Sequence, residues 1–396
     1  CRIVLEPFFS KSPTMDTHAR YRKPKVHAVD LFCGAGGLTC GLKQAGIKVK
    51  AGVDIETRCE FAYTHNNKAK FIAQSVTELT GNDFACFNAN ADYTLLAGCA
   101  PCQAFSTYNR KATSADPRWH LLNEFGRLIE ETKPDFVTME NVPQIADKDV
   151  FEAFLARLES CGYYKPDWQV VKCEEYGLAQ RRHRLVLLAS RLGPIKVLSP
   201  EEFGAPRRTV REVIGALPPV AAGEVGREDP LHSARGLTPI NLERIRASRQ
   251  GGTWRDWPEA LRLECHKRKS GASYAGVYGR MKWDEPSPTM TTQFIGYGSG
   301  RFGHPEQDRA LTLREGAMLQ SFPRDYEFIS PGEPVELSTV ARMIGNAVPV
   351  MIGELIGKSI FAHDKNGKVA AAYRSLTKEV LELERKTERF RDDAAR

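Results

Sequence analysis

From residue 26 to about residue 190 the chain alternates two kinds of segment, and nothing else in it restricts the fold as much. Short, predominantly apolar runs occupy residues 26–32, 49–55, 93–97, 136–139 and 185–189. A strand with water on one face alternates apolar and polar residues, so runs without strict alternation predict strands covered on both faces. Between them apolar residues recur at helical spacing. Leu38, Leu42 and Ala45 share a face that Gly46 stops, and Leu121, Phe125, Leu128 and Ile129 share another that ends at Pro134. Phe151, Phe154, Leu155 and Leu158 make a third, up to Gly162. Strand and helix in this rhythm predict an α/β fold, a mostly parallel doubly wound sheet with helices on both faces.

After residue 198 the rhythm gives way to Pro200, Pro206, Pro218, Pro219, Pro230 and Pro239, which predicts a smaller domain of irregular or β-rich structure. Helical character returns at residues 338–361. A chain of 396 residues has room for two or three domains. The expected organisation is a poorly ordered leader (1–24), a sheet domain (25–200 with 338–365), a second domain (201–337) and a charged C-terminal helix (366–396). Leu376, Val380, Leu383 and Phe390 form the stripe of that last helix. No run approaches the ~18 apolar residues of a spanning helix, which argues against an integral membrane protein. The first residues lack the order of a secretory signal. Ten cysteines are too sparse for a disulfide scaffold. A reducing, cytoplasmic compartment is expected.

The net charge is +7, and the interval from Arg235 to Trp283 holds the whole excess, with eleven basic and four acidic residues. Trp254, Trp257, Tyr274, Tyr278 and several glycines run through it. Basic groups interleaved with aromatics suit a surface that meets phosphates and packs on bases, although a solvated basic face has the same composition.

The ends of the strand runs carry the chemistry. The first leads into Asp30-Leu31-Phe32-Cys33-Gly34-Ala35-Gly36-Gly37, a glycine-rich turn that lets backbone approach a ligand. Thr39 stands where a dinucleotide fingerprint needs glycine, while Asp54 follows Gly34 by twenty residues, where a carboxylate can hold ribose hydroxyls. Together these favour an adenosine-type cofactor without a pyrophosphate. The third run ends near Cys102, with Cys99 before it. A redox pair or half a zinc site must be weighed, but no second pair at metal spacing exists. The fourth run ends at Glu140, and Gln180-Arg181-Arg182-His183-Arg184 precedes the fifth. A thiol, a carboxyl group and guanidinium donors are thus expected at one sheet edge.

The ordered blocks DLFCGAGG (30–37), PCQAFS (101–106), ENV (140–142), QRRHR (180–184), TVREVIGALPP (209–219), RALTLREGAMLQSFP (309–323) and RMIGNAVP (342–349) resemble the DNA (cytosine-5)-methyltransferase family of bacterial type. The resemblance covers roughly residues 25–361. It implies a Rossmann-like, S-adenosyl-L-methionine-dependent methyltransferase that releases S-adenosyl-L-homocysteine and uses no metal. Cys102 would be the nucleophile, Glu140 the group sharing a proton with the cytosine ring, and Arg184, supported by Arg182, the contact to the cytosine carbonyl. Phe32 would pack on the adenine, Asp54 hold the ribose and Ile55 cover the base. Gly34, Ala35 and Gly37 would line the methionine part, with Ala100, Pro101, Leu121, Asn346 and Val348 closing the pocket. Gln74-Ser75-Val76 stands where the family usually shows Gly-Asp-Ile/Val, so Ser75 and Val76 occupy the adenine edge without a charge.

The resemblance further implies double-stranded DNA as partner, with the target cytosine extruded into the site. Residues 106–118, including Ser106, Arg110, Lys111 and Arg118, read with Gln103 as a loop that closes over DNA. Arg255, Arg280 and Thr289 belong to the expected recognition segment. A tRNA-directed relative is the nearest rival, but the Cys-Phe-Thr triplet of that branch is missing. A bacterial or phage enzyme acting as a monomer, with a restriction endonuclease acting separately, completes the expectation.

Overall fold

The computed structural model describes residues 23–101, 120–268 and 276–364. In chain order its first elements are β1 (Val26–Leu31), α1 (Gly37–Ala45), β2 (Lys48–Val53), α2 (Glu60–Asn67), β3 (Lys70–Ile72), β4 (Tyr93–Gly98), α3 (His120–Thr132), β5 (Phe136–Asn141), α4 (Asp149–Ser160), β6 (Asp167–Lys172) and β7 (His183–Ser190). All five apolar runs are strands of one seven-stranded sheet ordered β3-β2-β1-β4-β5-β7-β6. β1 to β5 run parallel, while β7 lies antiparallel to both β5 and β6. That reversal matters for function. The start of β7 reaches the edge at which β1, β2, β4 and β5 end, because Asn141 pairs with Leu185. β3 and β6 lie at the sheet's two edges, and neither belongs to an apolar run.

Successive residues of a strand face opposite sides. Ala28, Leu95 and Phe136 meet α1 through Leu38 and Leu42 on one face. Val29, Leu96 and Val137 meet α3 and α4 through Phe125, Leu128, Phe151 and Leu158 on the other. The expected stop at Gly46 is a left-handed C-cap with φ 100°, its N–H bonded to the Lys43 carbonyl at 2.9 Å.

Beyond the sheet stand short helices α5 (Pro200–Phe203), α6 (Val210–Ile214), α7 (Pro239–Arg246), α8 (Glu264–Lys267) and α9 (Leu313–Leu319), then α10 (Leu337–Asn346) and α11 (350–364). The strands allowed for in 201–337 do not form among the described residues, where pairing is limited to isolated bridges such as Arg280 with Gly303. Proline there removes ladder donors. Phe294, Leu311 and Leu319 of this part share one apolar cluster with Val340 and Ile344 of α10 and with Ala35 and Tyr63 beside the glycine turn.

One expectation about apolar length is corrected. The stretch Leu337–Asp364 is long and apolar enough to cross a membrane by length and composition alone. Its most apolar window is 78% buried inside the protein, and Ile352, Leu355 and Ile356 pack on the sheet, so it serves as core.

Candidate active site

A cavity of about 440 Å³ opens at the edge where β1, β2 and β4 end. Phe32, Gly34 and Ala35 form one wall, and backbone geometry explains the block that supplies them. Phe32 and Gly34 have φ of 59° and 49°, a left-handed pair that glycine tolerates and phenylalanine does not favour. A Cβ on Gly34 would meet only open space, so bare backbone faces the cavity. Asp54 clamps this turn. Its Oδ2 accepts the Gly34 N–H at 2.8 Å and its Oδ1 the Glu56 N–H at 2.9 Å. Ile55 lies on the same wall with 74% of its surface exposed, an apolar face open to a flat partner.

Ser75, Val76, Pro101, Leu121, Asn346 and Val348 complete the expected lining. The sequence places Leu121 both on the apolar face of α3 and at the pocket; Leu122 takes the buried position, and Leu121 lines the cavity. Gly37 and Ala100 are absent from the wall. A Cβ on Gly37 would come within 2.3 Å of the Val348 carbonyl, so this glycine serves close packing of α1. Ala100 is buried among apolar neighbours, and its carbonyl accepts from Asn141 Nδ2 at 3.2 Å.

Sequence reasoning missed Asp30, Cys99, Arg342 and Met343, all on the wall. Asp30 ends no apolar run and stands within β1, so spacing gives it no role. It is fully buried, and burial pushes its carboxyl up to about 7, the Thr39 hydrogen bond opposing and Asp54 adding to the rise. Thr39 Oγ1 donates to Oδ2 at 2.7 Å, whereas Oδ1 has no hydrogen-bond partner. An orphaned buried oxygen, a cradle without a Cβ, an exposed apolar face and Asp54 fit a cofactor that joins a nucleoside to a positively charged amino acid. Among the described residues no group of three His, Cys, Asp or Glu could hold a metal ion.

Next to the cavity stands the carboxyl group of Glu140, the fifth residue of β5, only 3% exposed. Arg184 Nε lies 3.0 Å from its Oε1, and the Cys99 thiol donates to its Oε2 at 2.7 Å. Arg182 does not share this place. It is buried and donates to the carbonyls of Met290 at 3.1 Å, Gly345 at 3.4 Å and Ala347 at 3.5 Å, tying β7 to two distant segments. Thr289 is exposed beside it, its hydroxyl donating to the Arg181 carbonyl.

Arg255 is exposed, its guanidinium 5.8 Å from the Trp254 ring centre. Arg280, expected to face DNA, is 5% exposed and donates inward to the carbonyls of Ile245, Ser248, His304 and Gln307 and to Asp308. Five donors in a rigid fork can tie a loop region together, and here they do. Cys102, Gln103, Ser106, Arg110, Lys111 and Arg118 lie outside the described residues.

The sequence profile of the C-5 cytosine-specific DNA methylase family matches residues 26–362. The Type II methylase M.HgiDII of Herpetosiphon aurantiacus is 50% identical over 335 residues, covering 84% of this chain and 94% of its own length. The Type II methyltransferase M.PspPI of a Psychrobacter strain is 34% identical, over 84% of this chain and 78% of the relative. Among solved structures, an Escherichia coli prophage-encoded DNA modification methyltransferase superposes with a TM-score of 0.65 at 22% identity, covering 85% of this chain and 99% of that one.

Proposed function

Because the chain belongs to the C-5 cytosine-specific DNA methylase family, we propose that it methylates carbon 5 of a cytosine swung out of double-stranded DNA, through a covalent adduct on Cys102. The enzyme is a DNA cytosine methyltransferase and its cofactor is S-adenosyl-L-methionine, which supplies an electrophilic methyl group when bound. Phe32, Ile55 and Val76 hold the adenine part, Asp54 the ribose, and the backbone of Gly34 and Ala35 the amino-acid part.

Carbon 5 of cytosine is a poor nucleophile. Addition of the Cys102 thiolate to carbon 6 moves the ring's double-bond electrons to carbon 5, splitting one hard step into two easier ones. Glu140 shares a proton with the ring nitrogen as charge builds there, and Arg184 holds the carbonyl oxygen. Carbon 5 then takes the methyl group. A base removes the carbon 5 proton, the carbon–sulfur bond breaks, and Cys102 returns as thiolate. Burial raises the thiols of Cys33, Cys40, Cys59 and Cys173 above their ordinary range, which keeps these four protonated and unsuited to attack.

A stacked base cannot enter such a site, so extrusion at a cost of a few kcal/mol precedes chemistry. Gln103, Ser106, Arg110, Lys111 and Arg118 close over the DNA, while Arg255 and Thr289 contact it from the recognition side. The enzyme works as a monomer in the bacterial cytoplasm, and a cognate endonuclease acts separately.

The observation that carries this reading is Glu140 held between Arg184 and Cys99 beside the cavity that Phe32, Gly34 and Asp54 line. A duplex containing 5-fluorocytosine should form a denaturation-resistant adduct with the wild type in the presence of cofactor, since no carbon 5 proton can leave. Cys102→Ser should form none. Tritium transfer from labelled cofactor should reach duplex DNA and not tRNA. Labelling of tRNA alone, or an adduct that survives Cys102→Ser, contradicts the assignment.

A further inference from the structure

We infer that Cys99 is a positioning residue for methyl transfer, orienting the Glu140 carboxyl group and joining it to the wall of the cofactor cavity. The inference rests on Glu140 being the group that meets the cytosine. Register brings the two together. Gly98 at the end of β4 pairs with Met139 of β5, so the next residues along the two parallel strands lie side by side, Cys99 just past the end of β4 and Glu140 still within β5. The Cys99 N–H bonds the Leu31 carbonyl at 3.3 Å, which anchors the thiol's backbone to β1.

The terminal torsion of a glutamate is broad, and a single donor leaves its carboxyl plane free to turn. Arg184 fixes Oε1 and the Cys99 thiol fixes Oε2, one donor from each flanking strand. Cys99 belongs to the cavity wall and Glu140 does not, so through its thiol this residue connects that wall to the carboxyl group. Small errors in the placement of a reacting group are costly in rate.

Steady-state kinetics of the full chain provides the test. Cys99→Ala should lower kcat by about tenfold, with KM for DNA and for cofactor within about twofold of wild type. Cys99→Ser, whose hydroxyl can donate to the same oxygen, should restore kcat to within about threefold. S-adenosyl-L-homocysteine should slow alkylation of Cys99 by iodoacetamide, read by tandem mass spectrometry that separates it from Cys86 and Cys102. An unchanged kcat in Cys99→Ala, equal losses in both variants with a raised cofactor KM, or labelling indifferent to the product overturns the inference. Glu140→Gln is measured alongside. Wild-type kcat in that variant removes the underlying assignment itself, so the two failures are told apart.

Discussion

A carboxyl group with one oxygen on a hydroxyl and the other without a partner, walled into a cavity, makes binding there depend on its proton. Asp30 is such a group, its carboxyl pushed up to about 7 by burial. Below that pH it is neutral, and above it negative beside a ligand that carries an ammonium group. Binding of a cationic group favours the ionised form, so affinity for S-adenosyl-L-homocysteine should rise by about tenfold between pH 6 and 8 and then level off. Calorimetric titration of the wild type and Asp30→Asn checks this, the variant giving a flat profile. The raised pKa acts on stability in the opposite sense. The folded state holds the proton more tightly than the unfolded chain, so this contribution is full below the ordinary carboxylate range and is lost as pH rises through 7. A steep affinity profile in Asp30→Asn would show that another group titrates.

At the level of elements, α9 shows how far local signals reach. Thr312 and Glu315 form a Thr-x-x-Glu capping box, with the Glu315 N–H on Thr312 Oγ1 at 3.2 Å and the Thr312 N–H on Glu315 Oε2 at 2.8 Å. That much can be read from spacing. What spacing cannot reveal is that Arg309 grips both Glu315 oxygens at 2.7 Å in a buried fork, or that His304 stands 3.8 Å away. Glu315→Gln leaves Arg309 buried without its counter-charge and should cost about 3 kcal/mol in denaturant unfolding. Burial holds His304 down to about 4, with Arg309, Arg280 and His232 adding to the depression and Glu315 opposing it. The unfolded chain binds this proton below about 6.5 and the folded protein does not, so stability should fall as pH drops from 6.5 to 4, and His304→Gln should flatten that slope. The same limit explains the strands. β1 and β5 are buried along their whole length and read as apolar runs, whereas β6 exposes every second residue and β3 has only three. Arg280 was read outward because a guanidinium's direction is set by carbonyls of segments that meet only in the fold.

Across the whole molecule, the sheet, the 290 segment and the end of α10 meet at one side chain, Arg182, through the carbonyls of Met290, Gly345 and Ala347. Asn346 and Val348 flank the last of these and line the cavity beside β1, so one buried guanidinium links the 290 segment to the cavity wall. Arg184, two residues on and inside β7, points instead to Glu140. The sequence set these arginines together as partners in one task, and their surroundings separate them. Arg182→Met strands the buried carbonyls of Met290 and Gly345 and should cost about 3 kcal/mol in denaturant unfolding while weakening S-adenosyl-L-homocysteine binding by roughly tenfold. Arg184→Met should leave that binding within about threefold and lower kcat by on the order of a hundredfold, because it removes a group proposed to act on the substrate as charge develops. Calorimetry with the product and single-turnover methylation separate the two effects. Equal losses of product affinity in both variants would mean that the wall of the cavity does not depend on the Arg182 tie.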